Sequence, residues 1–392
     1  MVNYFDIFWD YSVFAFIILY TLQGSVMDAG LIAAAFALPN AVLSHKAGYL
    51  VDKVNNNFLF LCSNLVVASG ALFALTSDNQ IAFLLAILVR STGRCFTSIL
   101  SQRHISLHHT YKEYVKVNST ISLISNIAKV AAPLLFSLTA LYLPDVNKLV
   151  FSLVMSVILV LNCLLYTLRK ENIQIEDISN PSQRSTSNGY KLISKDAYLL
   201  WGTIVYCLSI FAVYISDDLL AYLYLSLGGQ GAHIGTLIAT IGAGGIIGSY
   251  LVPYIERISG LLRTFLISLC FDAVCFLAYF LISISSFSSR ATLLMLVAFC
   301  MGVGTAFGIV GFRSLAQQRS NASNIGKIYG TIQSITSITV LILPLTGALI
   351  ADTFGNGVPF LITSIILVIC SLLLITRFSL LTSTKDKLNV EQ

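Results

Sequence analysis

The sequence predicts an all-α integral membrane protein with twelve transmembrane helices in two halves of six. Three observations predict this fold class. The chain of 392 residues is 56% hydrophobic and 10% charged, whereas a soluble domain carries about 25% charged residues. The apolar residues form twelve runs, each near the roughly 20 residues that a helix needs to cross a bilayer. A polar segment, 169–195, separates the first six runs from the last six.

The twelve runs define the predicted elements in order. The predicted spans are 4–22, 29–47, 58–76, 81–102, 115–142, 147–168, 197–226, 232–255, 261–285, 291–312, 326–351 and 356–380. The domain organisation follows as an N-terminal six-helix bundle (1–168), a cytoplasmic linker (169–195), a C-terminal six-helix bundle (196–381) and a cytoplasmic tail (382–392). The linker is rich in Ser, Asn, Gln and charged residues, which favours a flexible connection.

The distribution of positive charge predicts the orientation. With the N-terminus inside, eighteen of the 23 Lys and Arg residues fall in cytoplasmic segments, and only Lys148 and Arg290 fall outside. Cytoplasmic segments of membrane proteins are enriched in Lys and Arg, so both termini are expected in the cytoplasm. No domain-sized basic face remains, so lipid rather than nucleic acid is the expected surrounding partner.

The sequence offers no pattern for a metal, a nucleotide or a catalytic nucleophile. All eight cysteines lie inside apolar runs, and His104, His108 and His109 have no Cys or acidic residue at ligand spacing. Two glycine-rich stretches, 243–248 and 302–308, lack the strand that a nucleotide-binding loop requires. We therefore expect no metal, no cofactor and no enzymatic activity, and a transported ion rather than ATP as the energy source.

A weak internal repeat relates the two halves. Its residues follow spans four and ten at matching offsets: Arg103, Asn118 and Pro133 in the first half, and Arg313, Tyr329 and Pro344 in the second. The offsets are 15 and 15 residues, then 16 and 15. Duplicated halves are typical of secondary transporters, in which the substrate binds near the midplane of the membrane at the repeat interface.

The stretch GSVMDAGLIAAAFALPNAVLSHKAGYLVDK, residues 24–53, resembles the second helix and following loop of the major facilitator superfamily. The resemblance is greatest to its bacterial drug and siderophore exporter branch, which includes macrolide efflux-type proteins. The family loop reads G-x-L-x-D-R/K-x-G-R-R/K. Gly48, Leu50, Asp52 and Lys53 match it, whereas asparagines occupy 55–57. The twelve-span layout extends the resemblance over essentially the whole chain.

This resemblance implies a monomeric transporter in the bacterial inner membrane. Its partners would be a small amphipathic molecule, protons and the surrounding lipid, and its mechanism would be alternating access. Export is the first interpretation. Proton-coupled or facilitative uptake of a small metabolite or siderophore is the alternative, because the exporter pattern G-P-x-x-G-G is only partly kept around Pro133.

The family loop implies a cytoplasmic gate made of Gly48, Asp52, Lys53 and Arg103. Gly48 would allow a tight turn between two helices. Asp52 would accept hydrogen bonds from a neighbouring helix N-terminus, where the helix dipole favours an anion, and from Arg103 at the end of span four. The alternative is that Asp52 only caps a helix at a solvated turn.

Charged residues inside spans predict the coupling site, because a charge at the bilayer centre costs at least about 2.5–3.5 kcal/mol. Asp6 and Asp10 are spaced i, i+4 in span one, and Arg90 and Arg94 repeat this spacing in span four. The arginines resemble the fourth-helix family pattern R-x-x-Q-G. We expect Asp10, Arg90 and Arg94 to couple transport to protons; a static pairing that holds helices together is the alternative.

The remaining intramembrane polar residues predict a substrate cavity lined by Lys129, Asp217, Tyr214 and Tyr222. The tyrosines could instead belong to the interfacial belt of aromatic residues. The first half contains three intramembrane cations, Arg90, Arg94 and Lys129, against two acids, Asp6 and Asp10. One positive charge is then uncompensated, and we expect some substrates to carry an acidic group.

Overall fold

The computed structural model describes residues 2–17, 26–77, 79–140, 145–168, 188–230, 233–287 and 289–390. Within these ranges the chain is helical, and none of the described residues forms a strand. The helices are α1 Val2–Phe16, α2 Val26–Lys53, α3 Asn56–Leu75, α4 Gln80–His108, α5 Tyr114–Ala140, α6 Asp145–Leu168, α7 Gly189–Lys195, α8 Ala197–Ser216, α9 Leu219–Ser226, α10 Ile234–Ser259, α11 Leu261–Ile284, α12 Arg290–Gln318, α13 Ile325–Phe354 and α14 Val358–Val390.

The helices confirm the predicted all-α membrane architecture. Every predicted span overlaps a helix, and nine helical segments in the described ranges are long and apolar enough to cross a membrane. Many large apolar side chains face outwards, including Ile81, Ile258 and Leu345, which are 74%, 86% and 70% exposed. Such an extensive apolar surface is suited to lipid, where helices satisfy their own backbone hydrogen bonds.

The predicted seventh span, 197–226, is confirmed: Ala197–Ser226 is one candidate membrane span that contains α8 and α9, and Asp217 and Asp218 between them keep helical backbone angles. Two other segments differ from the predicted boundaries. The last residues of the predicted flexible linker form the short helix α7, and residues 169–187 lie outside the described residues. Helix α14 continues to Val390 through most of the predicted tail.

Two proline-containing helices occupy equivalent places in the internal repeat. Pro133 is residue 20 of α5, counted from Tyr114, and Pro344 is residue 20 of α13, counted from Ile325. A proline removes one backbone donor inside a helix and crowds the preceding turn. Its recurrence at the same helical position therefore supports a duplicated origin of α5 and α13.

The described chain divides into two compact units. Unit 1 contains residues 1–109, 128–192 and 320–341, and unit 2 contains 110–127, 193–319 and 342–392. The boundaries cut α5 after Ile127 and α13 after Leu341, so each of these helices contributes to both units. The units therefore differ from the sequence halves at the two helices that the repeat relates.

Unit 1 has an apolar core at the contact of α1, α2 and α4. Trp9, Phe14, Phe36, Phe83 and Ile87 are buried there. Phe14 packs edge-on against Phe83, with ring centroids 5.3 Å apart, an arrangement that aromatic quadrupoles favour. This core holds α1 against the charged face of α4.

Unit 2 depends on close packing of α10 against α12. A Cβ atom at Gly302 would lie 2.0 Å from the carbonyl oxygen of Ile241, and one at Gly244 would lie 1.9 Å from that of Phe299. Small residues allow membrane helices to approach to backbone contact, where packing replaces the missing hydrophobic driving force. The glycine-rich stretches predicted to lack nucleotide chemistry thus form a helix crossing.

We expect Gly302→Ala to destabilise the protein by about 1–3 kcal/mol, the usual cost of overpacking, because the added methyl group would collide with backbone. Thermal unfolding of the purified protein in detergent measures the loss. Gly235→Ala is the matched control in α10, where no atom lies within 4 Å of the added Cβ. Equal melting temperatures for the two variants would contradict the proposed close crossing.

Candidate functional site

Four charged side chains meet inside unit 1. We call them the charge quartet; they are Asp6 and Asp10 of α1 with Arg90 and Arg94 of α4. Both pairs are spaced i, i+4, which puts their members on one face of each helix. The structure brings these two faces together, so that each carboxylate contacts both guanidinium groups.

The hydrogen bonds of the charge quartet are short and direct. Arg90 Nη2 donates to Asp6 Oδ1 at 2.6 Å, and Arg94 Nη2 donates to Asp6 Oδ2 at 2.6 Å. Arg90 Nε and Arg94 Nη2 both donate to Asp10 Oδ2. Charge-assisted bonds of this kind are roughly twice as strong as neutral ones, so the cluster is tightly bound.

Helices α3 and α6 complete the coordination of the charge quartet. Arg90 Nη1 donates to the carbonyl oxygen of Val67 at 3.0 Å and to Ser156 Oγ at 2.8 Å. Ser152 Oγ donates to Asp10 Oδ1 at 2.8 Å. Neither serine is among the predicted site residues, although the two are spaced i, i+4 on one face of a predicted span. Four helices of unit 1 are therefore joined at one buried point.

The charge quartet is neutral as a whole and almost fully enclosed. Asp6, Asp10 and Arg90 are 0% exposed, and Arg94 is 8% exposed. Removing one partner of a buried ion pair leaves a buried charge uncompensated, which costs about 3–5 kcal/mol. Two acids against two arginines avoid this cost, so the cluster is stable only as a complete set or after a matched loss of charge.

Arg94 is the member of the charge quartet with buried donors that are not used within the described residues. Its Nε and Nη1 atoms donate to no protein atom within the described ranges, whereas Nη2 carries the bonds to the carboxylates. An arginine stays protonated even when buried. Any proton exchanged with the cluster would therefore be accepted by a carboxylate, beside a guanidinium that still has free donors.

A second site joins the end of α2 to the start of α13. Asp52 Oδ1 accepts a hydrogen bond from the backbone N–H of Gly326 at 2.8 Å, and Oδ2 accepts one from that of Lys327 at 2.9 Å. These amides belong to the first turn of α13, where N–H groups lack helical partners and the dipole is positive. We call this contact the latch; it lies within unit 1.

Glycines allow the backbones to touch at the latch. A Cβ at Gly48 would lie 2.2 Å from the carbonyl oxygen of Gly326, and one at Gly330 would lie 2.3 Å from that of Ser44. Gly48 lies inside α2, so the expectation that it forms a turn is wrong; it permits close approach instead. The spacing Gly326-x-x-x-Gly330 is a signal for such packing, and neither glycine is among the predicted gate residues.

Two cations surround the latch in different ways. Arg103 donates through Nη1 to the carbonyl oxygens of Val51 and Val54, which end α2, and its charge also favours the ionised form of Asp52. Lys53 lies over the ring of Tyr49, with Nζ 4.1 Å from the centroid. Arg103 thus positions the helix end that carries Asp52, whereas Lys53 packs on an exposed aromatic ring.

The electrostatics of Asp52 are set by burial. Asp52 lies beyond the predicted span 29–47 and is 4% exposed. Burial raises the pKa of Asp52 to about 6, and the amides of Lys327 and Gly326 offset part of that effect. Acidification below about pH 6 therefore removes the carboxylate charge from the latch.

Further polar contacts extend the latch along α13. His45 Nδ1 lies 3.0 Å from Thr331 Oγ1, and its ring lies 5.4 Å from that of Tyr190 at the start of α7. A Cβ at Gly189 would meet Thr331 Oγ1 at 2.1 Å. The end of the linker therefore packs directly on the helix turn that Asp52 holds, a contact that the flexible-linker prediction did not include.

Unit 2 contains the equivalent segment of the repeat. Asn118 at the start of α5 donates to Ser314 Oγ at 3.0 Å and to Gln317 Oε1 at 2.7 Å, both on α12. Ser249 Oγ of α10 donates to Ser122 Oγ at 2.8 Å. The first halves of α5 and α13 thus each make buried polar contacts with helices from the opposite sequence half.

The four residues predicted to line a substrate cavity fall in different units. Lys129 is half-buried on the unit 1 part of α5. Tyr214, Asp217 and Tyr222 belong to unit 2, around the turn between α8 and α9. Asp217 is exposed and Tyr222 is 57% exposed, so these two side chains border the surface of that unit.

Two comparisons with known proteins indicate the same family. The family model for the Major Facilitator Superfamily matches residues 1–339. A curated relative, the uncharacterized MFS-type transporter YfiS of Bacillus subtilis (strain 168), is 25% identical over 372 residues, which cover 90% of this chain and 85% of that protein.

Solved structures share the fold over nearly the whole chain. A bacterial homologue of the iron transporter ferroportin in an outward-facing state has a TM-score of 0.77 at 17% identity, with 96% of each chain covered. The human organic anion transporter MFSD10 (TETRAN) has a TM-score of 0.78 at 16% identity, with 95% of this chain and 98% of that chain covered.

We expect Asp10→Asn and Arg94→Gln each to destabilise the protein by about 3–5 kcal/mol, because each leaves one buried charge uncompensated. The double variant restores neutrality, so its loss should be smaller than the sum of the single losses. Unfolding of the purified protein in detergent measures this double-mutant cycle. Asp352→Asn, at an exposed acid, is the control; additive losses would contradict a mutually compensated cluster.

Proposed function

Because this chain belongs to the Major Facilitator Superfamily of membrane transporters, we propose that it is a proton-coupled exporter of a small amphipathic molecule, of the drug and siderophore exporter type. The chain is a multi-pass secondary transporter and not an enzyme. The finer assignment, which includes the bacterial inner membrane and cytoplasmic termini, is the proposal. The charge quartet is the single observation that carries it.

The charge quartet supports proton coupling through its balance of charge. Protonation of Asp10 would leave the two arginines facing one carboxylate, and the cluster would gain one uncompensated positive charge in an apolar core. That state is favourable only if the contacts between α1 and α4 rearrange or another anion approaches. Proton binding and helix movement would therefore be linked, as coupling requires.

The latch supports alternating access. It joins α2, from the first sequence half, to α13, from the second, on the side predicted to be cytoplasmic. Opening that side requires both hydrogen bonds from the backbone amides of α13 to the Asp52 carboxylate to break. The two bonds are strong enough to hold one state, since bonds to a charged group contribute about 1.5–3 kcal/mol each, yet weak enough to be broken during a transport cycle.

The export proposal is tested in inside-out membrane vesicles. The substrate is first identified by profiling a knockout strain for drug sensitivity and for secreted metabolites. An inward-acidic gradient should then drive accumulation of that compound in vesicles that contain the protein. Accumulation that requires the opposite gradient would indicate the alternative, proton-coupled uptake, and would overturn export.

We expect Asp10→Asn to abolish gradient-driven accumulation in these vesicles while counterflow exchange of substrate continues, because the variant keeps the path but cannot bind and release the proton. Both activities are measured on the same preparation, with the amount of folded protein matched. Asp352→Asn serves again as the control. Unchanged gradient-driven accumulation by Asp10→Asn would contradict its role in coupling.

We expect Asp52→Asn to lower the transport rate about tenfold, the effect of losing roughly 1.4 kcal/mol from the latched state, with little change in membrane insertion or substrate binding. Transport into proteoliposomes and equilibrium binding measure the two effects. Asp196→Asn is a matched control, because Asp196 caps its own helix by accepting from Leu199 N–H at 2.8 Å. Equal transport rates for the two variants would indicate that Asp52 only caps a helix.

A further inference from the structure

The structure identifies which intramembrane cation of the first half lacks a partner among the residues that the structure describes. Three cations face two acids in the sequence, and the charge quartet consumes both acids and both arginines. The remaining cation is Lys129. Within the part of the chain whose side chains the structure describes, Lys129 forms no hydrogen bond and no ion pair.

Lys129 lies too deep in its helix to be a surface lysine. It is residue 16 of the 27 residues in α5, counted from Tyr114. At 1.5 Å per residue it lies about 22 Å from the start of the helix and about 16 Å from its end. A lysine near a helix end can extend its ammonium group to the membrane surface, but a mid-helix position does not allow this.

The exposed residues of α5 form one stripe, which is the face expected to contact lipid. Thr120, Ile127 and Leu134 are exposed and are spaced seven residues apart, so they lie on one face. Lys129 follows Ile127 by two residues, which places it about 200° around the helix axis. Lys129 is therefore on the side opposite the lipid-facing stripe.

On the face of α5 that carries Lys129, the residues of the two preceding turns are polar. Ser122 and Ser125 precede Lys129 by seven and four residues and share its side of α5. Ser122 is buried, whereas Lys129 retains part of its exposure. A charged side chain that is half-buried, unpaired and turned away from lipid is expected to face a wet path through the protein.

We propose that Lys129 binds the anionic group of the transported molecule, so that the substrates are amphipathic acids, with a carboxylate as the typical group. This inference rests on the proposed function, since it assigns the substrate class of the same transporter. The ammonium group offers three donors and a compact charge. A cationic amphiphile would meet an uncompensated like charge and would bind weakly.

The test uses a series of amphipathic carboxylates, from 1-naphthoate to dansylglycine, each matched with its neutral primary amide. Equilibrium binding to the purified protein is measured for the wild type, Lys129→Gln and Lys129→Arg. We expect the wild type to bind acids about 10- to 100-fold more tightly than the amides, the range for a hydrogen bond to a charged group. Lys129→Gln should lose this preference without weaker amide binding, and Lys129→Arg should keep it.

Folding does not confound this comparison. Lys129→Gln removes an unpaired intramembrane charge, so its melting temperature should equal or exceed that of the wild type, and the melting temperature is recorded for each variant. The proposal is overturned if no acid in the series binds, if acids and amides bind the wild type equally, or if Lys129→Gln keeps the acid preference.

The transport arm separates this inference from the proposed function. Proteoliposomes are loaded with the acid or the amide of one pair, and release is followed with and without a proton gradient. Gradient-driven movement of the amide with no preference for the acid would overturn the substrate class and leave the exporter. Lys129-dependent binding of the acid without gradient-driven movement would support the site and overturn proton-coupled export.

Discussion

The neutralisation of buried charge is the constraint on which the rest of unit 1 depends. Two carboxylates and two guanidinium groups are enclosed by α1, α3, α4 and α6, and none of the four can be removed alone without a buried charge remaining. The helices must therefore approach in a register that brings both i, i+4 pairs face to face. The surrounding aromatic core strengthens this requirement, because it offers the charges no solvent.

The same constraint gives the site two possible uses. A complete charge quartet is a strong static contact between helices, and it is also a cluster whose net charge changes by one when a carboxylate binds a proton. Proton coupling would require, in addition, that a second arrangement of the helices stabilises the protonated cluster. Protonation of a carboxylate and the contact between the helices would then depend on each other.

Backbone contact is the second physical theme. In the latch, glycines at 48, 326 and 330 remove the side chains that would separate α2 from α13, and Asp52 then reaches amides that a helix start leaves without partners. In unit 2, glycines at 244 and 302 do the same for α10 and α12. In both places the close approach of the helices depends on residues without a side chain, and packing at backbone distance holds the helices together.

The fold was largely predictable because its signals are local. Apolar runs of about 20 residues specify membrane helices wherever they occur, and the family loop at Gly48 to Lys53 was sufficient to indicate the superfamily. The local signals were weaker at the ends of the spans. The last residues of the predicted linker form α7, and α14 continues through most of the predicted tail.

By itself the sequence determined the class of protein, the approximate spans, the family and the residues whose charge needs an explanation. Only the tertiary structure decided which charges meet. Spacing of i, i+4 puts Asp6 beside Asp10 and Arg90 beside Arg94, but Asp10 and Arg90 are 80 positions apart, and the sequence between them contains no signal that pairs them. Their pairing follows from helix packing, and it leaves Lys129 as the intramembrane cation of the first half that has no partner among the described residues. Charge compensation is a long-range property of the folded chain, whereas hydropathy and helical period can be read along the sequence.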